Sequence, residues 1–219
     1  MNLAEANIGD PDRVLTFVGG AHEGVARGVR LTSQLLDFGR QDGTKPRVAD
    51  LNALLKELER FIQYGAGSST RIILEYESEI PKCLVYPHQF GTAILNLVVN
   101  ARDATADGGE VRISTSRCES GCASSRFCSE SAYVRVRVQD NGFGMPVHVV
   151  RRVFEPFFTT KNGTGLGVPQ VGALMRHIGG HVAVSSEPGR GTTVDLFFPS
   201  VEPNTPAQAS RRSGRPVRS

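Results

Sequence analysis

NLVVNARDA, residues 96–104, is an apolar segment that carries two Asn four residues apart and then an Asp. At about 100° per residue, Ile94, Leu97, Val98 and Ala101 fall at i, i+3, i+4 and i+7, so the spacing predicts a helix with one apolar face. Gln89, Asn96, Asn100 and Asp103 gather on the opposite face. A polar helix face is usually just wet. What the rest of the chain brings to this one decides whether it is more.

Downstream, YVRVRVQD (133–140) alternates as a strand does and runs straight into DNGFGM (140–145). Asp140 therefore stands at a strand end, with Gly142 and Gly144 bending the backbone beside it. A carboxylate there can accept a hydrogen bond from an exocyclic amine, and glycines let a flat ring approach closely. By itself D-x-G-x-G is equally a tight turn. Further on, FEPFFTTKNGTGLGVPQ (154–170) places Lys161, Gly163, Thr164, Gly165 and Gly167 just before a helix expected from about Pro169 to His177. Backbone N–H groups at a helix start, with a lysine nearby, suit a polyphosphate. Pro169 fits the first turn, where its missing N–H costs nothing.

The remaining chain supplies a scaffold. Leu15, Val18, His22, Val25, Val29, Thr32 and Leu36 alternate spacings of three and four, the seam of a helix packed on other helices, weakened by Gly19, Gly20, Gly24 and Gly28. After a break at QDGTKP (41–46), ADLNALLKELERFIQY reads as a second helix with Asp50 as its N-cap. RIILEYE and CLVY read as strands, with Cys83 a small buried hydrophobe. EVRISTS pairs in pattern with YVRVRVQD, and a short helix is expected at VHVVRRVF. HVAVSS and TTVDLFF close the series as strands.

Composition excludes several classes. No apolar run approaches the roughly 18 residues of a membrane helix, and the N-terminus lacks the features of a signal peptide, so a cytoplasmic location is expected. Arg211, Arg212, Arg215 and Arg218 against Glu202 carry the whole net charge of +3. The body is neutral, and nothing in its charge suggests nucleic acid. The last 19 residues, rich in Pro, Ser and Arg, read as a disordered basic tail. Cys118, Cys122 and Cys128, spaced C-x3-C-x5-C, match no zinc pattern well and read as incidental thiols in a variable loop.

Read together, these elements resemble the ATP-binding domain of sensor histidine kinases, a member of the GHKL superfamily. NLVVNARDA resembles the N box, DNGFGM the first glycine box, FEPFFTTK the phenylalanine box and GTGLG the second glycine box, while HIGGHVAVSSEPGRGTTVDLFFP resembles the closing hairpin. All five occur in order between residues 50 and 199. The resemblance implies an α+β fold, the two-layer Bergerat sandwich of helices on a mixed sheet, shared with gyrase, mismatch-repair and heat-shock-chaperone ATPases. It implies domains at 1–46 (a partial dimerisation and phosphoacceptor helix), 47–200 (ATP-binding) and 201–219 (tail).

Residue by residue, the resemblance implies that Asp140 binds the adenine amine, with Thr192 near the same end through water. Asn100 is then the Mg²⁺ ligand, with Asn96 beside it, and Asp103 supports the purine pocket structurally. Lys161, Gly163, Thr164, Gly165, Leu166 and Gly167 form a lid over the phosphates. Phe154, Phe157 and Phe158 move with that lid, or else are ordinary core aromatics. In hydrolysing relatives the position of Asn96 is a Glu that activates water; an amide takes no proton, so transfer to a side chain is expected instead.

Three departures stand out. The helix at 15–36 resembles the second helix of the acceptor hairpin, and the first, which would carry the acceptor His, has no counterpart. His22-Glu23 imitates the acceptor motif, but Ala26 stands where a polar residue belongs. The lid is short, with only Asn162 between Lys161 and Gly163. His88, His148, His177 and His181 read as solvated or capping residues. The expected partners are ATP, a response-regulator receiver domain and, through residues 14–40, a second copy or another histidine kinase. A hydrolysing ATPase and a docking module that uses ATP only as a ligand are the alternatives.

Overall fold

The computed structural model describes residues 45–106, 108–118, 133–160 and 164–201. The expected helix from Leu15 to Leu36 with His22, the stretch 14–40, Cys122, Cys128, Lys161, Gly163 and the tail from residue 202 onward lie outside them. Val201, at the start of the expected tail, donates its N–H to the Lys82 carbonyl at 2.8 Å.

Helix α1, Leu51–Ala66, begins at Asp50, whose side chain accepts from the Asn52 N–H at 2.8 Å and so satisfies one of the orphan donors of the first turn. Its apolar stripe of Leu51, Leu54, Leu55, Ile62 and Ala66 is buried. Helix α2, Pro87–Ala104, opens on a proline whose φ is pre-set for the first turn. Ile94, Leu97, Val98 and Ala101 are buried as the periodicity predicts, each large side chain contributing about 1.5–3 kcal/mol. Gly91 sits where α1 and α2 meet: a Cβ there would lie 3.3 Å from Leu58 Cδ2.

The helices cover one face of a mixed sheet. Its strands are β2 (Arg71–Tyr76), β4 (Glu110–Cys118), β5 (Tyr133–Asp140), β6 (His181–Glu187) and β7 (Gly191–Pro199), in the order β2-β4-β5-β7-β6. Only β2 and β4 run parallel; the other pairs are antiparallel. Strand alternation sorts the two faces. Val111 and Ile113 of β4, Val134, Val136 and Val138 of β5, and Leu196 and Phe198 of β7 join the helices in one core. On the outer face Arg137 forms a two-pronged pair with Asp195 at 2.7 and 2.8 Å, and Arg135 donates to Ser116 Oγ at 3.0 Å. Asp140 has the parity of the core-facing valines, so the strand that builds the core also delivers this carboxylate to the helix side.

A separate two-stranded sheet joins β1 (Arg47–Ala49) to β3 (Cys83–Val85). Three residues are too few for a readable alternation, and β1 was not foreseen. Cys83 is fully buried, and burial pushes its thiol up to about 12, in keeping with a small apolar filler. Cys118 departs from the expectation of incidental thiols: it is disulfide-bonded, and it packs with Tyr133 and Phe197 on the outer face. The pairing of β4 with β5 ends at Cys118↔Tyr133.

Two helices differ from the reading of their sequence. α3 covers only Val147–Val150, and turns replace the expected helix to Phe154. Val147, Val149 and Val150, poor helix formers, fill the one turn that does form, and nothing in the structure explains why it stops before Arg151. α4 runs Gly167–His177, two residues earlier than Pro169, which still lies in its first turn. No helix among the described residues is long and apolar enough to cross a membrane.

Among the described residues the Tyr76 hydroxyl is a buried polar atom without a hydrogen-bond partner. Burial, with Glu59 adding, pushes its ionisation up to about 12. Tyr76→Phe removes the unsatisfied oxygen and keeps the ring, so stability is expected to hold or rise by up to about 1 kcal/mol. Urea denaturation measures this, and a loss of that size instead would show the hydroxyl to be bonded.

Candidate functional site

Asp140, the last residue of β5, is 7% exposed. Its Oδ1 accepts from the Gly142 N–H at 2.9 Å and from the Thr192 N–H at 3.1 Å. The first bond is local, a turn that folds back on its own side chain. The second depends on register, because β7 sets Thr192 directly opposite Asp140. Two backbone donors on one oxygen fix the direction of a carboxyl group that is nearly out of water.

The glycines of DNGFGM are needed where they stand for close packing of backbone on backbone. A Cβ on Gly142 would lie 2.1 Å from the Ala104 carbonyl oxygen, and one on Gly144, which has φ +65°, 1.9 Å from that of Glu187. They are pressed against backbone. Phe143 donates its N–H to the Ala104 carbonyl at 2.9 Å, and the Gly189 N–H donates to the Phe143 carbonyl at 2.8 Å. The turn is thereby wedged between the C-terminal end of α2 and the β6–β7 turn.

Ser186 went unnoticed in the sequence. Its hydroxyl accepts from the Met145 N–H at 2.8 Å, donates to the Gly191 carbonyl at 3.0 Å and lies 2.9 Å from Thr192 Oγ1. It thus ties the glycine turn to Thr192. The only signal for it is its pairing opposite Thr192, which appears once the β6–β7 register is known.

On α2 the predicted polar face exists. Asn96 is half-buried, Asn100 and Asp103 are exposed, and the face looks away from the buried Ile94, Leu97, Val98 and Ala101. Asp103 Oδ1 takes both Nε (2.9 Å) and Nη2 (2.6 Å) of Arg102, and Arg102 Nη1 donates to the Gly65 carbonyl of α1 at 2.9 Å. Asp103 therefore stiffens the junction of two helices. Asn96 Nδ2 donates to Gln170 Oε1 of α4 at 3.2 Å.

The end of the lid is fixed to the phenylalanine stretch. The Phe157 N–H donates to the Gly165 carbonyl at 3.0 Å, and a Cβ on Gly165 would lie 2.5 Å from the Phe157 carbonyl carbon. The Leu166 N–H points at Thr164 Oγ1 at 3.4 Å, and Gly167 begins α4. None of the three phenylalanines is a core aromatic. Phe157 is 74% exposed with φ +65°, Phe158 lies under the Arg152 guanidinium at 4.2 Å, and Phe154 packs on Gly172 of α4. Apolar packing alone therefore does not account for them. His177 and His181 pair with Tyr86 (3.1 Å) and Tyr133 (3.4 Å), away from Asp140.

These contacts bring the separate motifs to one pole. α2 runs from Asn96, against α4, to Ala104, against the Asp140 turn, a span of about 12 Å at 1.5 Å per residue. An acceptor for an amine lies at one end, helix-start N–H groups at the other, and carboxamides between. Among the described residues no group of three His, Cys, Asp or Glu could hold a metal by itself. The carboxamide oxygens fit instead a Mg²⁺ that arrives with phosphates and keeps some of its waters.

Residues 86–202 match the family described as histidine kinase-, DNA gyrase B-, and HSP90-like ATPase. The sensor kinase CckA of Brucella abortus (strain 2308) is 35% identical over 179 residues, which is 79% of this chain and 19% of CckA. The signal transduction histidine-protein kinase AtoS of Escherichia coli (strain K12) is 31% identical over 173 residues, 78% of this chain and 26% of AtoS. The chain thus spans about a fifth to a quarter of these two relatives. A crystal structure of full-length ShkA in complex with AMPPNP superposes with a TM-score of 0.65 at 25% identity, over 86% of this chain and 40% of that one. With a family match over more than half of its 219 residues, the chain belongs to the histidine kinase-, DNA gyrase B- and HSP90-like ATPase family.

Proposed function

We propose that residues 47–200 form the Mg-ATP-binding unit of a two-component sensor histidine kinase, which gives the γ-phosphoryl group to a histidine on a helical hairpin supplied from outside that unit. The observation that carries this reading is the convergence on one pole of the oriented Asp140 carboxylate, the carboxamide face of α2 and the start of α4. The names of CckA and AtoS, and the AMPPNP held by ShkA, support it. Asp140 accepts the adenine amine, with Thr192 at the same end. Asn100 ligates Mg²⁺, which when bound neutralises phosphate charge, and Asn96 lies beside it. Lys161, Gly163, Thr164, Gly165, Leu166 and Gly167 close over the phosphates, and Asp103 braces the pocket through Arg102. The phosphorylated histidine then serves a response-regulator receiver domain.

Asn96 decides between transfer and hydrolysis. A carboxamide does not accept a proton from water, so the nucleotide is held without a general base. What remains for the protein is positioning and electrostatic stabilisation, the main needs of phosphoryl transfer.

Asp140→Asn sets an amide donor against the adenine amine or against the Gly142 and Thr192 N–H groups. A loss on the order of 1–3 kcal/mol, ten- to hundredfold in ATP affinity, is expected. Titration with a fluorescent ATP analogue measures it, and unchanged affinity removes Asp140 from the adenine site. Asn100→Ala is expected to abolish the Mg²⁺ dependence of binding and to keep a native circular dichroism spectrum, since Asn100 lies on the exposed face of α2. Mg²⁺ dependence equal to the parent's would take the metal away from Asn100.

Phosphoryl transfer is tested with radiolabelled ATP. The chain by itself is expected to label very slowly, and a hairpin bearing an acceptor histidine to gain acid-labile, base-stable phosphate when added. Steady phosphate release without labelling of either partner would make the protein a hydrolase. Stoichiometric labelling of the chain alone, lost in His22→Gln, would make His22 the acceptor.

A further inference from the structure

The bond from Asn96 Nδ2 to Gln170 Oε1 joins residues 74 positions apart and links the carboxamide face of α2 to the helix that follows the lid. A second contact accompanies it. A Cβ on Gly167 would lie 3.4 Å from Asn96 Cγ and 3.6 Å from its Oδ1, so the Asn96 side chain is flanked by the first residue of α4 and by the Gln170 side chain one turn further on. The backbone N–H of Gln170 is occupied within the helix start, donating to the Leu166 carbonyl at 3.1 Å. Gln170 is half-buried, part of the wall at this pole.

A carboxamide has two unlike ends. Its oxygen attracts a hard cation, and its NH₂ group repels one and donates to phosphate oxygens instead. Which end faces a ligand depends on which end the protein already holds. We infer that Gln170 is a positioning residue for the metal and phosphate end of the site: by accepting from Nδ2 it turns the Asn96 carboxamide so that Oδ1 is the end offered to Mg²⁺ and its waters. Because Gln170 belongs to α4, the orientation of Asn96 is also tied to the placement of the helix that the lid leads into. The inference rests on the Mg-ATP reading of this pole and adds to it a residue outside the four boxes and the closing hairpin.

The test uses the full chain with Gln170→Leu and, as a second variant of similar volume, Gln170→Met, each alone and combined with Asn96→Ala. AMPPNP is titrated in Mg²⁺ and in EDTA. In Mg²⁺, either Gln170 variant is expected to weaken AMPPNP by about 5–10-fold, the worth of one hydrogen bond, and in EDTA to change it little. In the Asn96→Ala background the same substitutions are expected to add nothing. A structural readout accompanies this: the Asn96 side-chain amide resonance, assigned by its loss in Asn96→Ala, should shift and exchange faster in the nucleotide-free Gln170 variants. An equal loss in Mg²⁺ and EDTA, or a loss that persists without Asn96, overturns the inference, because Gln170 would then act through α4 alone. An unmoved amide resonance overturns it as well. Failure of the parent chain to bind AMPPNP under either condition would overturn the Mg-ATP reading, and the resonance would still decide whether Gln170 orients Asn96.

Discussion

A carboxylate that is nearly out of water has to be held by donors, and the way this protein holds Asp140 governs much of its architecture. Leaving such a charge without partners costs several kcal/mol. One donor, Gly142, comes from the turn that follows β5, and the other, Thr192, from a strand 52 residues later in the chain. The second donor is available only if β5 and β7 pair in one register. A slip of one residue would turn Val134, Val136 and Val138 to the outer face and remove Thr192 from Asp140 together. The core and the site therefore specify the same alignment.

α2 meets a comparable double demand. Its apolar face fills the space between α1, α4 and the sheet, and in the proposed reading its polar face is left to form the wall of the nucleotide site. Its middle and its C-terminal end are fixed by different neighbours, Asn96 by Gln170 and the Ala104 carbonyl by the Phe143 N–H. The helix acts as a strut between the base end and the phosphate end. Its rigidity, and not that of any loop, sets the distance between them.

Features governed by neighbours in sequence could be read from it. The two faces of α2, the Asp50 cap, the strand ending at Asp140 and the closing hairpin are each decided by residues within a few positions. Features governed by distant neighbours could not. β1 exists because β3 pairs with it, Ser186 matters because Thr192 stands opposite, and Gln170 because α4 lands on Asn96. Gly142 and Gly144 were legible as glycines that must be glycines, but the crowding carbonyls of Ala104 and Glu187 are apparent only in three dimensions. The short α3 departs from an apparent helical pattern that ran on to Phe154.

The single parallel pairing has a bearing on the order in which the molecule assembles. Joining β2 to β4 side by side encloses residues 77–109, with β3 and the whole of α2 inside the crossover. α2 alone would be a marginal helix in water, and it is held by packing on α1, α4 and the sheet, whose β4 closes that loop. In the proposed reading the wall of the nucleotide site is thus carried on a crossover closed by one of the more remote pairings in the sheet. A ligand at this pole then protects the crossover from exchange and proteolysis as a unit, coupling occupancy to the persistence of β3 and α2 together.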